Sequence, residues 1–218
     1  AFGAKIKNKK VGTYGDSSMF SFCSNKVITT GEGGAITTDS KEIYEKLKLL
    51  RSHGRVENSD YFSSAERMDY VVLGFNYRLS NITAALGLAQ INKVDEIIEM
   101  RRSKAKYMTS KLRDIREVIT PNTLNGYFHV YQLYSIRVNA KLRDKLSKHL
   151  AEAGIMTKVY FHPVHKTSFY RHKLKYNSKL SITEKISSEI LSLPIYPHIT
   201  NKEVTYICEK INSFLQDV

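Results

Sequence analysis

The sequence predicts an α/β protein that ends in a smaller α+β domain. Short β-prone runs set off by glycine turns occupy the early part of the chain. An apolar stripe from Ile82 to Leu112 predicts one long helix serving as a spine between two domains. After Tyr127, strand-type and helix-type patterns follow one another in short pieces. The boundary expected from this pattern gives domains over 1–112 and 113–218.

The composition narrows the class. A length of 218 residues, with 42% hydrophobic and 25% charged residues, is that of an ordinary globular protein with a sizeable core. No apolar run approaches the roughly 18 residues of a membrane span, and nothing resembles a signal peptide. Cys23 and Cys208 lie far apart without metal-type spacing, so the expected compartment is a reducing cytoplasm. The net charge of +13 invites a nucleic-acid reading. However, the basic residues are spread along helices, and their densest run, Lys5, Lys7, Lys9 and Lys10, sits in a hairpin pattern. No helix-turn-helix, zinc-finger or aromatic-basic RNA signature accompanies them, so neither a nucleic acid nor a membrane is expected as a partner. A positive field of this kind suits a phosphate-bearing small substrate.

In chain order, alternation from Ala4 to Gly12 predicts a short hairpin, and Gly15–Ser18 a turn. Met19–Phe22 reads as a buried strand and Ala35–Thr38 as a second one. Asp39 with Glu42 predicts the cap of a helix whose face is Ile43, Leu47 and Leu50, closed by Gly54 as its C′ residue. Residues 55–69 read as a loop long enough to be functional. Ser80 or Asn81 caps the long helix, whose apolar face starts with Ile82, Ala85, Leu86 and Ala89. Pro121-Asn122 and Asn125-Gly126 mark the boundary region. Beyond it, Val130–Val138 and Thr157–Phe161 read as strands, and Leu142, Leu146 and Leu150 as a helix face ended by Gly154. Ser181…Glu184 and Thr200…Glu203 are capping boxes. The first opens a helix burying Ile186, Ile190 and Leu191 up to Pro194, the second one burying Val204, Ile207, Ile211 and Phe214.

One stretch has the chemistry of a site. From Ser21 to Gly34, Lys26 stands between a β-prone run and the turn Thr-Thr-Gly-Glu-Gly-Gly. A lysine amine becomes reactive, as in Schiff bases, when it is partly desolvated and held in place. Rigid backbone and small neighbours would do both, although a solvated hairpin lysine has the same spacing. Ser21 likewise reads as a ligand-facing hydroxyl or as a strand serine facing solvent. His162 and His165 have the spacing of a metal pair, but no Cys, Asp or Glu flanks them at ligand distance, and no metal is expected. Cys23 reads as a small filler and Cys208 as core.

Several pieces occur in one order: Ser21-Phe22, Asn25-Lys26, Thr30-Gly31-Glu32-Gly33-Gly34-Ala35, Arg51-Ser52-His53-Gly54, Gly74-Phe75-Asn76-Tyr77-Arg78-Leu79-Ser80, Pro163-Val164-His165 and Leu193-Pro194-Ile195-Tyr196-Pro197. Each alone is common. Together they resemble the DegT/DnrJ/EryC1/StrS sugar aminotransferases, pyridoxal-phosphate enzymes of the aspartate-aminotransferase fold. The resemblance runs from Ala1 to the last helix. It implies that residues 1–112 are the end of the large αβα cofactor-binding domain and 113–218 the small domain. It implies that Lys26 carries pyridoxal 5'-phosphate as a Schiff base and later shuttles a proton. A relative with histidine at this position deoxygenates its sugar, so lysine favours transamination. Ser21 matches the serine that bonds the cofactor phosphate, and Asn76 the asparagine that reaches the same phosphate from the neighbouring subunit of a homodimer. Arg78 supports Asn76 or forms a structural ion pair. His165 matches a loop near the nucleotide-sugar entrance and is a candidate substrate contact, whereas His162 departs from the family's residue types.

The implied activity is transfer of an amino group, with glutamate as donor, to a nucleotide-linked 4-keto- or 3-keto-6-deoxyhexose for surface polysaccharide or glycoconjugate synthesis. The resemblance also implies a preceding portion that supplies a phosphate-cradling helix, a stacking aromatic and a Glu-Asp-x-Ala segment, with Ala1-Phe2-Gly3-Ala4 as its continuation. The chain alone is therefore expected to be inactive. The alternative is a non-catalytic module that works with a separate N-terminal piece.

Overall fold

The computed structural model describes residues 1–56 and 69–216. The expected loop over 55–69 falls almost wholly outside the described residues. Two compact units are present: Ala1–Asp95 with Gly126–Phe128, and Glu96–Asn125 with His129–Val218. They part between Asp95 and Glu96, whereas the sequence pattern predicts a boundary between 112 and 113.

The first unit begins with the expected hairpin, β1 (Lys5–Ile6) against β2 (Lys9–Lys10). Lys7 and Asn8 take φ values of 47° and 65°, the paired left-handed conformations whose twist suits a two-residue hairpin. β3 (Ser18–Ser21) pairs antiparallel with β4 (Gly34–Thr37), from Ser18↔Thr37 to Ser21↔Gly34. β3 is not the buried strand expected. Met19 is 81% exposed and Ser21 shares its outward side, because side chains alternate and only Ser18 and Phe20 turn inward.

α1 (Lys41–Arg51) starts one residue later than expected: Ser40 Oγ, not Asp39, accepts the Ile43 N–H at 3.3 Å. Its end is closed by His53 at φ 63° and by Gly54 N–H donating to Leu49 O at 2.8 Å. The segment after Tyr70 runs back across this end. Phe75 N–H donates to Leu50 O at 2.7 Å, and Tyr77 N–H to Arg51 O at 2.8 Å. A Cβ at Gly54 or Gly74 would collide with the facing backbone, so two glycines are needed for this approach.

The expected spine helix is two helices, α2 (Asn81–Ile91) and α3 (Val94–Leu112). Asn92, a residue that competes with helical backbone, marks the break, and Lys93 N–H closes back on Gln90 O at 3.0 Å. The expected apolar face of α2 is also inverted. Ile82 is 85% exposed, while Gly87 is buried and Thr83, Ala84 and Gln90 are half-buried. α2 is apolar nearly all round, so periodicity could not say which side packs. β5 (Tyr127–Phe128) returns to pair with β1, Lys5 opposite Phe128.

The second unit holds the main core. β6 (Tyr134–Arg137) pairs antiparallel with β7 (Ile190–Leu193), from Tyr134↔Leu193 to Arg137↔Ile190. α4 (Ala140–Glu152), α5 (Ser181–Glu189) and α6 (Asn201–Gln216) complete the elements, joined by Met108 and Leu112 of α3 in one cluster with Leu146, Leu150, Leu191 and Ile211. The Tyr134 hydroxyl, bonded to Thr109 Oγ1 at 2.7 Å, is pushed by burial to a pKa of about 12.

Several expectations give way here. Ile190–Leu193 is a strand, not the end of a helix: a short, mostly apolar run fits either, and here Ser192 is buried against Ser135 of β6, Oγ to Oγ at 2.7 Å. The strand expected over Val130–Val138 shrinks to Tyr134–Arg137. Arg101 Nη1 holds the bend before it, donating to Tyr131 O at 3.3 Å and to Ile195 O at 3.1 Å. Thr157–Phe161 forms one bridge, Lys158↔Ser192, and Ser187 Oγ donates to Phe161 O at 3.2 Å where a ladder bond would be. No described helix is long and apolar enough to cross a membrane.

Candidate active site

The end of the β3–β4 pair carries the lysine loop. Phe22 N–H donates to Gly33 O at 2.8 Å, which narrows the loop at its base. Phe22 O then accepts twice, from Thr30 N–H at 2.9 Å and from Thr29 Oγ1 at 2.9 Å. Val27, Ile28 and Thr30 are buried, so the loop has its own small interior and Lys26 is left half-buried at its bend. Cys23 links the two expected site residues. Its O accepts Lys26 N–H at 3.0 Å, and its N–H donates to Ser21 Oγ at 3.3 Å. That bond uses a lone pair of Ser21 and leaves the hydroxyl proton free to be donated.

Asn76 and Arg78 form a second pair. Asn76 bridges to Ser52 at the end of α1, and Arg78 Nε donates to Asn76 Oδ1 at 2.9 Å. Arginine has no acceptor, so the amide oxygen must face it, and the two N–H donors of Asn76 point elsewhere. Both side chains are exposed. Leu79 packs toward the glycine turn: its Cδ1 lies 3.0 Å from where a Cβ of Gly33 would stand.

His165 belongs to the second unit and is only 8% exposed. Its Nε2 lies 3.2 Å from Glu184 Oε1, and Lys166 Nζ is 2.7 Å from Glu184 Oε2. Glu184 also accepts Leu180 N–H at 3.2 Å. Ser181 is not the cap of α5: Leu180 holds that position, and only the glutamate half of the expected box forms. Hydrogen bonds from Lys166 first, and then His165, pull the Glu184 carboxyl down to a pKa of about 2. Among the described residues no three His, Cys, Asp or Glu side chains gather as metal ligands would.

Sequence reasoning missed Gln90. Its side-chain amide grips the backbone of Thr29 on both sides: Thr29 N–H donates to Oε1 at 3.1 Å, and Nε2 donates to Thr29 O at 2.7 Å. A signal was present in a long polar side chain lying three residues after a glycine in the apolar run Asn81–Ile91.

Comparison with known proteins bears on the family. The model of the DegT/DnrJ/EryC1/StrS aminotransferase family matches residues 1–212. The GDP-perosamine synthase of Escherichia coli O157:H7 is 38% identical over 218 residues, covering 100% of this chain and 57% of the synthase. The UDP-4-amino-4,6-dideoxy-N-acetyl-beta-L-altrosamine transaminase of Campylobacter jejuni serotype O:2 is 33% identical, over 100% of this chain and 57% of its own length. Among solved structures, Helicobacter pylori PseC, an aminotransferase involved in the biosynthesis of pseudoaminic acid, superposes with a TM-score of 0.92 at 29% identity, over 100% of this chain and 58% of that one. The chain thus spans little more than half the length of these relatives. It belongs to the DegT/DnrJ/EryC1/StrS aminotransferase family.

Proposed function

We propose that the protein carrying this chain is a pyridoxal-phosphate-dependent sugar aminotransferase. It would move an amino group from glutamate onto a keto-sugar linked to a nucleotide, a 4-keto- or 3-keto-6-deoxyhexose, for a surface polysaccharide or glycoconjugate in the cytoplasm. The observation that carries the reading is the half-buried Lys26 on a loop closed at its base, with Ser21 tied to it through Cys23. The residues fit a phosphate-bearing aldehyde. Lys26 offers an amine, Ser21 a free hydroxyl proton, and Asn76 two amide donors turned away from Arg78.

Pyridoxal phosphate, when bound, supplies the electron sink that lets an amino group leave one carbon skeleton for another. Lys26 would hold that group and would take up and return a proton at Nζ. The Ser21 hydroxyl donates to the phosphate. Asn76 serves the same phosphate from a second copy in a homodimer, and Arg78 keeps its amide in the donating orientation. His165, on the turn Val164–Lys166 and held by Glu184, would be the substrate contact of the second unit.

Relatives named for GDP- and UDP-linked amino sugars support a nucleotide-sugar acceptor and leave the nucleotide open. The chain by itself is expected to be inactive. The test is glutamate-coupled amination of a panel of keto-sugar nucleotides by the intact protein, beside a Lys26→Ala variant. Turnover of at least one sugar, lost in the variant, is the expected result. Turnover that survives Lys26→Ala would overturn the reading.

A further inference from the structure

We propose that Gln90 is a positioning residue for Lys26, acting through the backbone of Thr29; this rests on the reading of Lys26 as the cofactor lysine. Thr29 is three residues beyond Lys26 in the same loop. Its N–H and C=O are both taken by one side-chain amide, at 3.1 and 2.7 Å, as a neighbouring strand would take them. Among side chains in their usual charge states at neutral pH, only a primary amide presents a donor and an acceptor side by side on one planar head. Thr29 in turn organises the loop: its Oγ1 donates to Phe22 O at 2.9 Å and accepts Gly31 N–H at 2.9 Å. Pinning Thr29 therefore fixes both the base of the loop and its glycine turn.

α2 is shaped for this contact. Gly87 lies three residues before Gln90 on the same side of the helix, and a Cβ there would stand 3.0 Å from Thr30 Cγ2. The glycine lets the helix approach until the Gln90 amide reaches Thr29. Thr30 is itself buried, with Oγ1 donating to Glu32 O at 2.8 Å. α2 thus acts as a clamp bar on the loop that carries the lysine, with Gln90 as its contact. A loop held in this way keeps Lys26 Nζ in one place, the preorganisation that Schiff-base formation requires.

The test uses the intact protein, its Gln90→Leu variant and its Gln90→Glu variant, with two readouts. The first is hydrogen exchange at the Thr29 amide. The second is the rate at which pyridoxal phosphate and borohydride label Lys26 relative to the other lysines. Gln90→Leu is expected to speed Thr29 exchange and slow Lys26 labelling, each by about tenfold, the scale of one lost hydrogen-bonded contact. Gln90→Glu keeps the acceptor for Thr29 N–H but turns a carboxylate toward Thr29 O, and is expected to slow labelling while largely preserving exchange protection. Labelling within about twofold of wild type in Gln90→Leu would overturn the proposal, whatever happens to exchange, since the contact would then be structural alone. If neither variant folds, the wild-type protein can still overturn the clamp: a Thr29 amide exchanging as fast as exposed Ser24 would do so. A wild-type label on some other lysine would sink the cofactor reading, and Thr29 exchange would still judge the clamp by itself.

Discussion

Among the described residues, the first unit buries only Phe22, Val27 and Ile28 as apolar side chains, whereas the second closes a continuous core from Ala105 to Leu215. These three apolar residues all belong to the lysine loop or its base. Elsewhere that unit presents large apolar groups to solvent, with Leu73 86% and Ile82 85% exposed. Its order comes from hydrogen bonds instead: the double use of Phe22 O, the Gln90 grip on Thr29, and the backbone pairing of the segment after Tyr70 with the end of α1. One unit is held by burial, the other by local polar fastening around Lys26. Exposed apolar surface of that extent is normally covered in a working protein. The contrast teaches where each kind of substitution should be felt.

The largest expected effect lies in the first unit. Lys26→Ala removes the amine, and kcat should fall by at least about a thousandfold while the melting temperature stays near wild type. A variant that kept its activity would erase the functional half of the contrast. Next in size is Leu150→Ala in the second unit, where Leu150 has no exposed surface. Urea unfolding should show a loss of about 2–5 kcal/mol, with labelling of Lys26 unchanged.

Smaller effects separate the two capping boxes of the second unit. The box of α6 is complete: Glu203 Oε2 accepts Thr200 N–H at 2.7 Å, and Thr200 Oγ1 accepts Glu203 N–H at 3.1 Å. Thr200→Ala should cost about 1 kcal/mol by denaturant titration. Glu184, pulled from an ordinary 4.5 to about 2, gives stability that is complete above pH 4.5 and lost as the pH falls toward 2. Glu184→Gln should therefore flatten the acid side of the stability profile in that window and leave the neutral side less changed. Smallest of all, Ser181→Ala should stay within about 0.5 kcal/mol of wild type, because Ser181 makes no capping bond to α5.

Much of this was legible from local sequence. The order of strand, lysine and glycine turn is written in adjacent residues, and the structure keeps it as β3, the loop and β4. The complete capping box of Thr200 and Glu203 was readable for the same reason, since both partners lie within one turn. What failed was decided by distant partners. Gln90 meets Thr29 across sixty-one residues of sequence, and no local pattern announces such a bond. Ser181 and Glu184 have the spacing of a box, but Glu184 is also engaged by His165 and Lys166, and the serine stays out of the cap. Ile186 and Ile190 keep helical spacing past the point where β6 draws Ile190–Leu193 into a strand. The sequence offers Arg78 as a support for Asn76 or as half of a structural ion pair, and only the bond from Arg78 Nε to Asn76 Oδ1 fixes which way the amide faces.

The central claim is that the first unit is fastened around Lys26 because Lys26 holds the cofactor. Its most direct test is to load the intact protein with pyridoxal phosphate, reduce it with borohydride and map the labelled peptide. The expected result is a single pyridoxyl group on Lys26, in the peptide that also contains the buried Val27 and Ile28. A label confined to another lysine would contradict the claim.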